Sequence, residues 1–289
     1  MKVYGFITLY EPDISVRENI MSVYHQVDHL FLCDNSHQKC EDLINIDEIP
    51  NCTYIFNNCN LGLSSAFNAV FKNKDILFQD DDFIIFFDQD SRITEGHIDS
   101  LLNSYRELKR DAYRVASLGP VFYDKSINRV MSPRIKQRIT AGCYIVSSSI
   151  TSSLLMEYVN LKRVNFWNDD IFLDMADWDL CWRLKAEGMI NAITDKVILE
   201  HQLGIGVIKK MGVSIRKGSP IREYYQTRDG LKLLFKNYTP IKYRLRILAI
   251  ITIRPFIHMF FLDKGLLRLK YVITGIYDFL CQKSGELKK

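Results

Sequence analysis

The chain opens with two alternating patterns. Short apolar, β-branched runs suit buried strands, and between them lie stretches whose apolar residues recur at helical spacing. Lys2–Leu9 reads as a first strand, stopped by Pro12, with Ser15–His25 as a helix behind it. Asp28–Leu32 is a second strand closing on the loop-type Cys33-Asp34-Asn35-Ser36, and a short helical stretch around Glu41–Ile46 follows. Cys52–Phe56 is a third strand, Asn57–Gly62 a turn and Leu63–Phe71 a helix. Phe83–Phe87 is a fourth strand of five consecutive apolar residues, followed by a helix over Glu95–Arg110. Strand and helix alternating four times predict an α/β domain with a doubly wound, mainly parallel sheet.

From Val115 the pieces shorten. Val115–Phe122, Arg129–Met131 and Ile139–Ser147 are strand-like and are interrupted by Gly119-Pro120, Pro133 and Ala141-Gly142, so this half reads as mixed α+β. An acidic run, Asp169 to Asp179, leads into a helix that Gly188 ends and that Asp177 or Asp179 would cap. Lys196–Leu199 is a strand running to His201, and Ile221–Phe235 is a helix opened by Pro220. Between them, Gly206–Pro220 carries Lys209, Lys210, Arg216 and Lys217 among glycines, as a solvated loop or a basic lid over phosphates would. Residues 1–238 are thus expected as the main domain, divided near 112 into a nucleotide-binding and an acceptor half. Residues 239–289 form a basic, apolar helical appendage.

That appendage contains two apolar stretches, Ile247–Ile253 and Phe256–Leu262, split by Arg254-Pro255. Each is far short of the roughly 20 residues that span a bilayer. With Lys242, Arg244, Arg246, Lys264, Arg268 and Lys270 around them, they suit helices lying on a membrane surface, or helices packed on the domain or on a second copy. Over all 289 residues, 47% are hydrophobic and 25% charged, an ordinary globular composition. A net charge of +4 gives no footprint for nucleic acid. The N-terminus lacks an apolar export segment, and the seven scattered cysteines include no C-x-x-C, so a zinc site and a disulfide framework are not indicated. The expectation is a cytoplasmic protein, peripheral on the inner membrane face if the appendage binds lipid.

The chemistry gathers where strands end. Asp88 and Asp90 follow the fourth strand with one residue between them, and alternate residues of an extended chain share a side. Two such carboxylates repel each other, and hard oxygen donors suit Mg²⁺ or Mn²⁺ completed by water and substrate phosphates. Thr8, Asp34, Asn60 and Gly62 also stand after strands, where ligands of open α/β sheets bind. Neither G-x-G-x-x-G nor G-K-[ST] is present, so a nucleotide would be held without a glycine-rich phosphate loop.

Several motifs occur together in order: Ile7-Thr8-Leu9-Tyr10, Cys33-Asp34-Asn35-Ser36, Asn60-x-Gly62 through Asn68, Phe87-Asp88-Gln89-Asp90-Ser91, Gly119-Pro120, Phe172-Leu173-Asp174-x-x-Asp177-x-Asp179-x-Cys181-x-Arg183, His201-x-x-Gly204 and Arg222-x-Tyr224-Tyr225-x-x-Arg228. As a set they resemble the GT-A nucleotide-sugar glycosyltransferases of family 2, nearest the bacterial rhamnosyltransferase-like branch, over roughly Val3 to Phe235. The resemblance implies Thr8 and Asp34 at a pyrimidine base, Asn60, Gly62 and Asn68 beside nucleotide and sugar, and Asp88 at the nucleotide. It implies Asp88 and Asp90 as metal ligands, with His201 as a further metal or diphosphate contact. Asp177 matches the catalytic base of an inverting displacement. Many members have Glu before it where this chain has Ala176, which leaves Asp179 as the alternative base. Trp178, Asp179, Arg222, Tyr225 and Arg228 would face acceptor or diphosphate.

Implied partners are a dTDP- or UDP-sugar donor, dTDP-L-rhamnose first, and a saccharide or lipid-linked saccharide acceptor destined for bacterial O-antigen or capsule. Two other classes share parts of the pattern. Haloacid-dehalogenase-like phosphatases also place D-x-D after a strand, but after the first strand of the core and without a cation such as Arg92 two residues beyond it. A non-catalytic nucleotide-binding scaffold would not need Asp88, Asp90, Asp177 and His201 together.

Overall fold

The computed structural model describes residues 1–124, 129–131, 137–201, 206–210 and 213–288, with the backbone alone at 124, 131, 201, 206–210, 213, 214 and 216. The first half contains β1 (Val3–Leu9), α1 (Val16–Tyr24), β2 (His29–Asp34), α2 (Glu41–Ile44), β3 (Cys52–Phe56), α3 (Gly62–Phe71), β4 (Phe83–Asp88) and α4 (His97–Arg110). Next come β5 (Val115–Asp124), β6 (Arg129–Met131), β7 (Gln137–Thr140), β8 (Cys143–Val146), β9 (Leu154–Glu157), α5 (Tyr158–Arg163), α6 (Ala176–Ala186) and β10 (Ile190–His201). The chain continues through β11 (Gly206–Lys210), β12 (Val213–Lys217), α7 (Arg222–Leu234), α8 (Ile241–Thr252), α9 (Arg254–Phe261) and α10 (Gly265–Leu280).

One sheet runs in the order β3-β2-β1-β4-β9-β5-β10-β8-β7, with β6 on β5. Its first four strands are parallel, and β10 is parallel to β5, while β9, β8 and β7 pair antiparallel. Strands alternate which face each residue serves, and both faces here are covered. Ile7, Leu9, Ile85 and Phe87 join Ile20 and Leu101 of α1 and α4 in one core. Phe6, Ile84 and Phe86 join Phe67 of α3 and Leu180 of α6 in the other. This two-sided burial explains why Phe83–Phe87 is apolar at every position.

The four β–α repeats thus stand as the periodicity predicts. The strand-like piece over Ile139–Ser147, interrupted at Ala141-Gly142, is the hairpin β7–β8, which turns at those two residues. Gly206–Pro220, expected as loop or lid, contains a second hairpin, β11–β12, in a separate two-stranded sheet. Neither Asp177 nor Asp179 caps α6. The helix begins at Ala176 behind Met175, and both carboxylates lie in its first turn, where they meet the positive end of the helix dipole. Pro133 and Gly204 lie outside the described residues.

The C-terminal helices pack on α7, with α10 against it and Ile247 of α8 buried in the second core. The joint is polar. Glu223 of α7 is buried and accepts from Arg254 Nη2 at 2.9 Å, pairs with His258 Nδ1 at 2.6 Å and lies 3.6 Å from Arg268 Nη1. Burial works against its charge, but the His258 hydrogen bond and the two guanidinium groups hold its carboxyl below the usual range. Removing one partner from such a cluster leaves buried charge uncompensated. Glu223→Ala should therefore lose about 3–5 kcal/mol in denaturant titration, and limited proteolysis should release α8–α10 before the sheet is cut.

Candidate active site

After β3 the chain crosses beneath β2 and β1 to lay β4 on the far side of β1, so the direction of strand addition reverses between β1 and β4. Ligands of open α/β sheets bind beyond the carboxyl ends of strands at such a reversal. Thr8 and Asp88 are register partners at that point. A cleft of ≈ 270 Å³ opens there, lined by Thr8, Leu9 and Tyr10 at the end of β1, Asn35 after β2, Asn60, Gly62 and Leu63 at the start of α3, and Asp88 and Gln89 at the end of β4. Phe172, Leu173, Ile221 and Tyr225 form the facing wall.

The two walls are locked together at Gly62. Its φ is +77°, and a Cβ there would run into the Phe172 carbonyl, which accepts the Leu63 N–H at 2.7 Å. Only glycine fits both the backbone and the space. Asn60 Oδ1 steadies the turn by accepting the Gly62 N–H at 3.0 Å. On its other side Phe172 donates its N–H to Asp229 and stacks on Tyr225, with ring centroids 4.3 Å apart and planes at 12°.

Asp177 is half-buried beside this cleft, its Oδ1 accepting the Trp178 N–H at 2.8 Å. Burial pushes its carboxyl up to about 7, and the charges of Asp174 and Asp88 add to the effect while the Trp178 N–H opposes it. Arg222, whose field also reaches Asp88 and Asp177, grips Asp174 through both Nε and Nη2. Three carboxylates and one guanidinium therefore share one electrostatic site. Asp179 has no part in it. It is fully buried and binds Arg183 Nε at 2.7 Å, Tyr238 at 2.6 Å and Asn168 at 3.3 Å, so it has no opening towards a substrate.

Asp90 stands exposed in the turn after β4. A bridge between Arg92 and Glu200 brings the end of β10 beside that turn, which places the His201 backbone near the D-x-D, although the His201 side chain lies outside the described residues. Among the described residues no three His, Cys, Asp or Glu side chains are grouped so that they could hold a metal ion by themselves. The donors in view, Asp88 and Asp90, are hard oxygens suited to a cation that keeps waters and shares a diphosphate.

Other expected residues are placed elsewhere. Asp34 is fully buried, accepting the Ser36 N–H at 2.8 Å, the Cys40 thiol at 3.2 Å and the Tyr54 hydroxyl, and its neighbour Asn35 lines the cleft instead. Asn68 is buried, pairing with the backbone of Trp167 and with Asp169. It borders a larger cavity, ≈ 640 Å³, that shares no lining residue with this cleft. Trp178 packs on Tyr243 of α8 beneath Arg246. Arg228 is fully buried against Asp229 and Tyr224. Asn35, Gln89 and Phe172 carry the cleft without having been singled out, though each adjoins or belongs to a motif that was.

The family model Glycosyl transferase family 2 matches residues 15–148. Over 257 residues, 84% of this chain and 83% of the relative, the sequence is 26% identical to the dTDP-rhamnosyl transferase RfbF of Shigella flexneri. The fold is similar to that of S. aureus TarS, with a TM-score of 0.55 at 14% identity over 98% of this chain. It is also similar to that of GalNAc-T7 crystallised with UDP, GalNAc and Mn²⁺, with a TM-score of 0.54 at 12% identity over 85% of this chain. The chain is thus a glycosyltransferase of GT-A fold, and its residues 15–148 match the family 2 model. The chain spans about half the length of the two solved structures, 49% and 53%.

The transferase carries a stability signature at Asp177. An unfolded aspartate has a pKa near 3.9, and the folded value is raised to about 7. Between those values the native state holds the extra proton, so this group makes stability fall as pH rises through the window. Asp177→Asn should raise Tm at pH 8 and leave it nearly unchanged at pH 4, as followed by calorimetry.

Proposed function

We propose that this glycosyltransferase moves a sugar, L-rhamnose from dTDP-L-rhamnose in the first instance, onto a saccharide acceptor with inversion at the anomeric carbon. The observation that carries the reading is the shared site of Asp88, Asp174, Asp177 and Arg222 at the strand reversal. Its support for the donor is the likeness to a dTDP-rhamnosyl transferase. UDP-hexoses are the alternative donors, since GalNAc-T7 with UDP and Mn²⁺ shares the fold.

In this reading Thr8, Asn35 and Asn60 line the place of the base, and Phe172 stacked on Tyr225 keeps water from one side. Asp88 and Asp90, with His201, would hold Mn²⁺ or Mg²⁺, which when bound neutralises charge developing on the departing diphosphate. Arg222 adds a fixed cation beside the same oxygens. Asp177 takes the proton of the acceptor hydroxyl as that oxygen attacks the anomeric carbon. A carboxyl raised to about 7 is a stronger base than an ordinary aspartate and still ionised above neutrality.

The acceptor is proposed to be lipid-linked, on the way to a bacterial surface polysaccharide. No helix among the described residues is long and apolar enough to cross a membrane. Yet Leu245, Ile253, Phe256, Phe260, Leu266 and Ile273 of α8–α10 are exposed, with Lys242, Arg246, Lys264 and Lys270 exposed among them. Apolar faces rimmed by cations suit the interface of an anionic bilayer. Trp178, next to the proposed base, packs on α8 and so sets the site beside that face.

A thermal-shift panel of dTDP-, UDP- and GDP-sugars with and without Mn²⁺ tests the donor. Stabilisation by dTDP-L-rhamnose should need the metal and vanish in Asp90→Ala. Asp177→Asn should keep it while losing transfer by about 10²–10⁴-fold. Metal-independent binding, or full turnover by either variant, would remove the mechanism. The full-length protein should co-sediment with liposomes containing anionic lipid and not with neutral ones. A dimer that ignores both would assign the apolar face to a second copy.

A further inference from the structure

Beyond α10 the chain turns back along α7, and residues 284–287 lie against the donor cleft. Lys283 Nζ binds Asp278 at 2.8 Å, and Ser284 bridges Asp170 and Lys232 at 2.8 Å each. Arg228 Nη1 donates to the Gly285 carbonyl at 2.7 Å, and the Leu287 N–H donates to the Tyr225 hydroxyl at 3.1 Å. Leu287 also packs on Phe172, Tyr224 and Tyr225. Gly285 has φ +78° with open space where a Cβ would stand, so the backbone alone turns the chain at this point. The result is a fixed strap, and it leaves Glu286 exposed and lining the cleft that contains Thr8, Asn60 and Asp88.

Resting on the nucleotide-sugar reading above, we propose that residues 284–287 are a built wall of the donor site. In that wall Glu286 selects the donor by accepting hydrogen bonds from its neutral hydroxyls. A carboxylate only accepts hydrogen bonds and repels phosphate, so it must face the part of the donor that is uncharged and rich in O–H groups, the ribose or the transferred sugar. Arg228 is then a positioning residue: fully buried, it cannot touch the donor, but it holds the Gly285 carbonyl next to the selecting side chain. This accounts for a guanidinium that stands in the Arg222-x-Tyr224-Tyr225-x-x-Arg228 stretch yet faces away from the cleft.

Titration calorimetry and steady-state kinetics on the full-length protein test this with dTDP, UDP, dTDP-L-rhamnose and UDP-glucose. Glu286→Ala should weaken donor binding about ten- to a hundred-fold, the loss of a hydrogen bond to a charged group, raising KM while kcat stays within about two-fold. Glu286→Gln, which keeps an acceptor oxygen, should lose less. Gly285→Ala, strained at that φ but with open space for its Cβ, should shift KM the same way without lowering Tm enough to indicate unfolding. A loss confined to the nucleotide sugars assigns the transferred sugar, and an equal loss for the free diphosphates assigns the ribose. Unchanged or tighter binding in Glu286→Ala overturns the proposal. If the wild-type protein binds no nucleotide sugar, the functional reading falls first and takes this inference with it.

Discussion

Asp177 stands close enough to Asp88 and Asp174 to feel both charges, and that crowding is what the rest of the molecule has to sustain. Like charges left to themselves would splay apart. They are kept together because each belongs to a different rigid element. Asp88 ends a strand buried on both faces, Asp177 sits in the first turn of α6, and Asp174 is clasped by Arg222 at the start of α7. The Gly62–Phe172 contact then ties the strand side to the helix side. Burial, with the charges of Asp174 and Asp88 added to it, raises the Asp177 carboxyl, and a raised carboxyl suits the proton-accepting role proposed for it.

How much of this was legible in the sequence depends on how far apart the partners lie. The parallel half was readable because its signals are local: Phe83–Phe87 is apolar throughout, and the D-x-D follows at once. The strand Leu154–Glu157 was not. Four residues behind a Ser- and Thr-rich stretch look like loop, and they become a strand only by fitting between β4 and β5. The hairpin β11–β12 was hidden for a related reason, since its glycines and cations masked two short runs that pair only with each other.

The same rule sorts the site residues. Thr8, Gly62 and Asp88 line the cleft because the end of a strand or the start of a helix fixes where they point. Asp34 has the right position after β2, but Tyr54 and Cys40 claim its oxygens, and neither claim is visible in the Cys33–Ser36 motif. Arg228 sits in a motif of cations and aromatics that suggested anion binding, while its backbone partner Gly285 is 57 residues away. Asp177 and Asp179 have the same local pattern, and only the third dimension separates a carboxylate engaged by Arg183 and Tyr238 from one beside Asp88.

Neighbouring residues of α7 face two different tasks. Arg222 clasps Asp174 beside the cleft, and Glu223, one position on, anchors α9 and α10. No linker separates the two contacts. If the outward face of those helices rests on lipid, as proposed, the height of the reacting carbon above the bilayer is set by the fold rather than by a flexible tether. The enzyme would then act as a ruler, reaching hydroxyls at one distance from the membrane and passing over chemically identical ones on shorter or longer chains.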